Sequence, residues 1–283
     1  KIKEFMCDYS VKKEQLLLKI NEYAGQNVIV AFSGGVDSTL LLKIACDMAK
    51  KKGTKVYAVS IQTRLHPMGE MEEAKKTCQE LEAEHVVISI DELKEAGIMN
   101  NPVNRCYLCK KFLFSKIKNF ASKLEISRIL EGTNEDDLHV YRPGIKALKE
   151  LGIKSPLAEA GLTKAEVRKL ANEYGLKTAT KPSAPCLATR FPYGTELAYE
   201  DMERVEKGEA YLKSFGLYNV RIRVYGKTAR IEVDEASFAE VLVHKQDIIT
   251  YLKELGFIYI TLDLEGFRSG SMDVEINVSE ACK

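Results

Sequence analysis

The stretch from Asn27 to Thr39 constrains the fold of this chain more than any other. It reads Asn27-Val28-Ile29-Val30-Ala31-Phe32 and then, without a break, Ser33-Gly34-Gly35-Val36-Asp37-Ser38-Thr39. The small and β-branched apolar run predicts a short buried strand. The paired glycines predict a turn that side chains would obstruct, and Leu40-Leu41-Leu42-Lys43-Ile44-Ala45 continues with helical character. A strand, a glycine turn and a helix start together make an anion site. The turn offers backbone N–H groups, the helix N-terminus adds partial positive charge, and Ser33, Ser38 and Thr39 add hydroxyls. These residues point to a nucleotide phosphate. No Lys follows the glycines, so the loop is not the GxxxxGK[ST] type of enzymes that cleave the γ-phosphate.

The rest of the first half repeats the strand–helix theme. A leading helix is expected over 11–24, with Leu16, Leu17, Leu18 and Ile20 as its apolar side. Strands are expected at about 28–32, 55–61, 85–90 and 128–133, alternating with helices at about 37–51, 69–83 and 107–123. Such alternation implies βαβ units and a parallel sheet. Ligands then belong at the C-terminal strand ends, which carry Ser33-Gly34-Gly35, Ser60 and Gly132-Thr133-Asn134. Thr163-Lys164-Ala165-Glu166 is a capping box, followed by Val167, Leu170, Ala171 and Tyr174 at helical spacing and Gly175 at the stop; it reads as structural, with no chemistry attached. From 181 to 194 the texture changes, and Pro182, Pro185, Pro192 and Gly194 mark a hinge. A helix over 196–215, a hairpin over 218–233 turning at Gly226, a helix over 236–254 and a strand over 257–264 make a small α+β domain. The expected architecture is α/β, a parallel-sheet domain over 1–185 followed by a smaller α+β domain over 186–283.

Composition narrows the function classes. The length of 283 residues suits about two domains. With 42 basic and 41 acidic side chains the net charge is +1, which argues against a general nucleic-acid partner. No apolar stretch approaches the ~18 residues of a membrane span. The chain opens on Lys-Ile-Lys-Glu-Phe-Met-Cys-Asp, without the apolar core of a signal peptide and without an initiating Met, which reads as a trimmed start. Seven cysteines, an odd number without a secretion signal, imply a reducing cytoplasm rather than a disulfide framework. Cys7, Cys46, Cys78 and Cys282 are isolated, and Cys46 and Cys78 fall in helical patterns as small hydrophobes.

The other three cysteines carry a different signal. Arg105-Cys106-Tyr107-Leu108-Cys109-Lys110 contains a CxxC, and Cys186 stands far away in Pro185-Cys186-Leu187-Ala188-Thr189-Arg190. A lone CxxC is ambiguous between zinc, a redox dithiol and an iron–sulfur ligand pair. Structural zinc takes four ligands, yet there is no second CxxC, and the four histidines (66, 85, 139, 244) are not at HxxxH spacing. A redox dithiol leaves a third cysteine in a proline-stiffened loop unexplained. Three thiolates suit a [4Fe–4S] cluster with one iron open to an outside ligand such as sulfide. Arg105, Lys110, Lys111 and Arg190 would lower the thiol pKa values and offset cluster charge.

Ser-Gly-Gly-Val-Asp-Ser resembles the PP-loop of the ATP pyrophosphatases. Taken with Arg105–Lys110, 131–137, 141–144, 155–157, 161–166, 181–190 and 263–272, the chain resembles the LarE family of ATP-dependent sulfur transferases over almost its whole length. The 132–134 and 161–166 pieces identify only the superfamily; the Pro185-Cys186-Leu187-Ala188 loop and the 266–272 ending are the specific part. The resemblance implies a PP-loop fold of the adenine nucleotide α-hydrolase, Rossmann-like kind. It implies that ATP adenylates a carboxylate of pyridinium-3,5-biscarboxylic acid mononucleotide with release of pyrophosphate, that sulfur displaces AMP, and that the thiocarboxylate serves nickel-pincer cofactor synthesis. Some family members sacrifice the sulfur of the cysteine matching Cys186; others hold a [4Fe–4S] cluster on three cysteines. The presence of Cys106, Cys109 and Cys186 implies the cluster type, with sulfide or another sulfur donor as co-substrate and a homo-oligomer as the assembled form. Thr189 departs from the expected Ser but keeps the hydroxyl, and the lack of Trp removes one stacking partner.

The resemblance also distributes roles. Ser33, Gly34, Gly35, Asp37, Ser38 and Thr39 would bind pyrophosphate, with Asp37 assisting Mg²⁺. Ser60, Gly132 and Thr133 would contact the nucleoside, and Asp136 or Asp137 is a second candidate for Mg²⁺ or else an acidic cap. Arg190, Arg221 and Arg223 would grip the substrate's phosphate or carboxylates through the guanidinium fork. Arg221 and Arg223 alternate along one strand face, which as a bland alternative would be solvated, while Val220, Ile222 and Val224 pack the other. Glu232 and Asp234 would balance that charge or bind a metal. The competing reading is a PP-loop tRNA thiolation enzyme with the same cluster chemistry, against which stand the neutral charge balance and the absence of further CxxC pairs.

Overall fold

The computed structural model describes residues 2–65, 69–181 and 185–274, with the backbone alone for 2–7 and 70. His66, the hinge residues Pro182, Ser183 and Ala184, and Cys282 lie outside the described residues. In chain order the elements are α1 (Ile2–Tyr23), β1 (Val28–Ala31), α2 (Val36–Lys52), β2 (Val56–Gln62), α3 (Glu70–Glu80), β3 (Glu84–Ser89), α4 (Glu92–Glu95), α5 (Arg105–Lys123), β4 (Ile129–Leu130), α6 (Gly144–Leu151), α7 (Pro156–Glu159), α8 (Lys164–Glu173), α9 (Tyr199–Lys213), β5 (Val220–Tyr225), β6 (Thr228–Val233), α10 (Phe238–Val243), α11 (Lys245–Glu254) and β7 (Tyr259–Leu262), joined by short 3₁₀ turns. The chain divides into two compact units. The first takes Lys1–Thr63, Met68–Asp91 and Cys106–Ser183; the second takes Arg64–Pro67, Glu92–Arg105 and Ala184–Lys283. The second unit therefore includes 64–67 and 92–105, which a single cut at 185/186 leaves in the first.

The first unit is built on a four-stranded parallel sheet in the order β3-β2-β1-β4. β1 is central, and Val28, Ile29 and Val30 are fully buried, as a strand covered by helices on both faces requires. Alternation sorts its side chains. Val28 and Val30 join Leu16, Ile20, Leu41 and Leu170 in one core layer. Ile29 joins Val59, Phe114, Ile117 and Leu148 in the other. After β3 the chain crosses β1 to place β4 on its far side, so β1 stands at the switch point where strand order reverses and a crevice opens beyond the strand ends. The expected strand over 128–133 is only Ile129–Leu130, because Glu131 pairs with Lys154 and the chain then turns onto the start of α2.

The second unit carries a three-stranded sheet in the order β5-β6-β7. The hairpin forms as expected, with Gly226 at φ +60° in the turn. The final strand adds to β6 in parallel. The expected helix over 236–254 is broken into a 3₁₀ turn, α10 and α11. The break falls at His244, whose ring stacks on Phe215 with centroids 4.2 Å apart and whose backbone leaves the helical region. The turn lets Val241 on one segment and Ile248 and Leu252 on the next all reach the core. Among the described residues no helix is long and apolar enough to cross a membrane.

Candidate active site

The loop after β1 is the expected turn. Gly34 has φ +71°, a backbone region glycine occupies without strain, and Gly35 stands at the N-cap of α2 with no side chain closing it. Two hydroxyls hold the turn. Ser38 Oγ donates to Gly35 O at 3.2 Å, so Ser33 Oγ donates to Ser38 Oγ, also at 3.2 Å. Ser33 N donates to Ser38 Oγ at 3.3 Å, and Gly35 N donates to Ser33 Oγ at 3.4 Å. Thr39 is 2% exposed, and its hydroxyl has no hydrogen-bond partner among the described residues. A buried unpaired donor beside an open helix N-terminus fits a polyanion.

Two neighbours that sequence reasoning left without a role, Asn134 and Lys164, complete this corner. Asp37 takes an ion pair from Lys164 and a 3.2 Å hydrogen bond from Asn134 Nδ2. Lys164 follows the cap of α8, where Thr163 and Glu166 form the expected capping box, and its backbone N–H donates to Asp136 Oδ2 at 2.8 Å. A lysine inside a capping box at a ligand-facing end was the available signal. Gly132 explains how β4 reaches the loop: a Cβ there would lie 2.9 Å from Asp37 Cβ and 3.1 Å from Ser38 N. Asp137 accepts from Asn134 N at 3.2 Å and pairs with Arg142 at 2.9 Å.

Ser60 and Thr133 are both buried and already engaged. Ser60 Oγ donates to Phe32 O at 2.8 Å, so it accepts from His85 Nε2 at 2.9 Å. His85 therefore carries a proton on Nε2, and burial, with Lys75 nearby, holds its pKa below the ordinary value. Thr133 donates through its N–H and hydroxyl to Glu131, at 3.0 and 2.9 Å. Glu131, which the sequence reading passed over, is 5% exposed and also accepts from Ser155.

Cys106 and Cys109 lie on the first turn of α5, in the first unit, Cys106 exposed and Cys109 half-buried; Cys186, in the second unit, is half-buried. None of the three forms a disulfide with another described residue. Among the described residues, no group of three or more His, Cys, Asp or Glu side chains is arranged to hold a metal ion. Cys46 and Cys78 are held as buried or half-buried hydrophobes, and desolvation pushes both thiols up to about 12.

Around Cys186 the second unit places its arginines inside, not on a solvated face. Arg190 is 2% exposed and grips Glu209 with both prongs, Nε–Oε1 at 2.8 Å and Nη2–Oε2 at 2.9 Å. Its remaining nitrogen donates to Pro185 O, Cys186 O and Thr189 Oγ1, so the pair ties the cysteine loop to α9. Thr189 in turn donates its hydroxyl to Cys186 O at 2.8 Å. Arg223 pairs with Glu232 and donates to Thr189 O at 2.9 Å. Glu232 also takes Arg230 and Ser271, while Asp234 holds Asn219. Arg221, 7% exposed, lies over the Phe267 ring and donates to Val220 O. Burial, then the charge of Arg190, pulls its pKa down to about 10. A buried cation of this kind has the chemistry to receive an anion.

The chain matches the PP-loop domain family over residues 9–139. It is 38% identical over 268 residues to pyridinium-3,5-bisthiocarboxylic acid mononucleotide synthase of Lactiplantibacillus plantarum, covering 95% of this chain and 96% of that one. An uncharacterised protein of Synechocystis is 38% identical over 264 residues, covering 92% and 97%. Another, of Methanocaldococcus jannaschii, is 30% identical over 260 residues, covering 91% and 98%. With relatives matched end to end and the phosphate loop built as described, the chain belongs to the LarE family of PP-loop, ATP-dependent sulfur transferases.

Proposed function

We propose that this enzyme adenylates a carboxylate of pyridinium-3,5-biscarboxylic acid mononucleotide and converts it to the thiocarboxylate, as a step in nickel-pincer cofactor synthesis. The observation that carries the reading is the corner of Ser33–Thr39, Asn134 and Lys164, which offers hydroxyls, an open helix start and one lysine to a single polyphosphate. In the first step a carboxylate oxygen attacks the α-phosphorus of ATP. The bond from that phosphorus to the bridging oxygen breaks, and pyrophosphate leaves with the electron pair. Ser33, Gly34, Gly35, Ser38 and Thr39 hold this leaving group, Lys164 neutralises charge that develops on it, and Asp37 with Asp136 would hold the accompanying Mg²⁺. In the second step sulfur adds to the acyl carbon and the carbon–oxygen bond to AMP breaks. Cys106, Cys109 and Cys186 match the donor chemistry of a [4Fe–4S] cluster with one open iron, and such a cluster supplies iron-bound sulfide. Arg221 would receive the substrate's phosphate or second carboxylate, while Arg190 and Arg223 keep the Cys186 loop in place. Ser60, Gly132 and Thr133 would form the floor beneath the nucleoside.

The test is anaerobic purification followed by iron and sulfide analysis and by pyrophosphate release with the pyridinium substrate or bulk tRNA. About four irons per chain, lost in Cys106→Ala and Cys186→Ala, with turnover on the pyridinium substrate, is the expected result. An iron-free protein that loses the Cys186 sulfur during turnover replaces the cluster by the sacrificial route. Pyrophosphate release with tRNA alone overturns the substrate.

A further inference from the structure

Residues 131–134 run along the end of β4 and touch two different parts of the first unit. Gly132 and Asn134 lie on Asp37 and Ser38 of the phosphate loop. The Glu131 carboxylate stands 3.7 Å from Nζ of Lys110, the residue after Cys109. The Glu131 carboxylate is fixed by the Thr133 N–H, the Thr133 hydroxyl and the Ser155 hydroxyl. The Lys110 stem passes close over Gly144, where a Cβ would come 2.8 Å from Lys110 Cδ and 3.3 Å from Cys106 O. Its ammonium lies 5.9 Å from the centre of the Phe114 ring. Because the carboxylate is already held by three other bonds, the pair loses less side-chain entropy on forming than one between two mobile surface groups.

We propose that Glu131 is a positioning residue: through Lys110 it sets the first turn of α5, and with it Cys106 and Cys109, in register with the phosphate loop. One short segment thereby references the sulfur-bearing turn and the adenylating loop to each other. Gly144 belongs to the same device, since any side chain there pushes the Lys110 stem out of line. The proposal rests on the sulfur-transfer reading for its consequence, but its geometry does not.

Two measurements on the full chain test it, with Glu131→Gln, Lys110→Met and Lys110→Arg; should Glu131→Gln fail to fold, Lys110→Met carries the test. The first is iodoacetamide alkylation of the reduced, chelator-treated protein, read cysteine by cysteine by mass spectrometry. Loss of the pair is expected to speed Cys109 about five-fold, the upper range for one ion pair, while Lys110→Arg stays near the parent and core-buried Cys78 is unchanged. No change at Cys109, or an equal rise at Cys78, overturns the proposal. The second is pyrophosphate released per thiocarboxylate formed. A positioning role raises that ratio about five-fold on the same scale with pyrophosphate release itself held; a parallel fall of both overturns it. A parent protein that makes no thiocarboxylate defeats the functional reading instead, and the alkylation result still decides this one.

Discussion

Glu209 shows how one carboxylate organises a site that it need not touch chemically. Its oxygens take both prongs of Arg190, and Oε1 also accepts the Ile222 N–H at 3.0 Å. Glu209→Ala leaves a guanidinium buried without its counter-ion, a change expected to cost about 3–5 kcal/mol in urea unfolding. It should also free the Cys186 loop, which hangs on Arg190 through the carbonyls of Pro185 and Cys186. Lys164 acts differently. It is about one-third exposed and paired with Asp37 beside the loop, so Lys164→Met is expected to spare folding and weaken the grip on the polyphosphate. Steady-state kinetics should show kcat/KM for ATP down about ten- to hundred-fold, as for loss of one charge-assisted contact. Of these two residues, neither was assigned chemistry from the sequence: Glu209 is one acid among many on an amphipathic helix, and Lys164 reads as part of a cap.

At the scale of elements, helix starts and close approaches matter more than helix propensity. The capping box of α8 satisfies two N–H groups and sets where Lys164 leaves the backbone. Thr163→Ala is expected to cost about 1 kcal/mol of stability in denaturant titration. In the second unit α9 lies against the sheet through Gly208, where a Cβ would sit 2.6 Å from Ile222 Cδ1 and 3.0 Å from Leu252 Cδ2. Gly208→Ala would raise helix propensity in isolation, yet here it overpacks, and a loss of about 1–3 kcal/mol is expected. The same reasoning separates elements legible in sequence from those that were not. β1, α2 and the β5–β6 hairpin announce themselves by apolar runs and turn glycines. The break at His244 does not, because it depends on a ring stacked on Phe215, distant in sequence.

For the whole molecule, stability depends on pH through groups whose folded pKa values are displaced. Among the described residues His85 is the one near neutrality, depressed from 6.5 by burial and then by Lys75. Between its folded pKa and about 6.5 the unfolded chain binds the extra proton, so stability is complete above that window and falls as pH drops through it. Melting temperature is expected to decline on acidification from about pH 7 toward pH 5, the range of a histidine. His85→Gln, which keeps a donor for Ser60, should flatten the slope. Since Ser60 also holds Phe32 O at the mouth of the phosphate loop, nucleotide affinity should weaken over the same window. ATP should raise the melting temperature; at about a hundred times its Kd it adds about 2.7 kcal/mol, and Lys164→Met should shrink that gain.

The local code along the chain determines the strand–turn–helix around Ser33–Ser38, the parallel sheet and the CxxC, because periodicity, glycine placement and β-branched runs act over a few residues. Family membership is equally legible there, since motif residues keep their order and identity. Tertiary structure alone decides which polar groups meet. It brings Asn134 and Lys164 to Asp37, Glu131 to Lys110, and the arginines of β5 into a buried network. The reason is physical: a buried ion pair or orphan hydroxyl is defined by desolvation and by partners far off in the chain, quantities with no local signature.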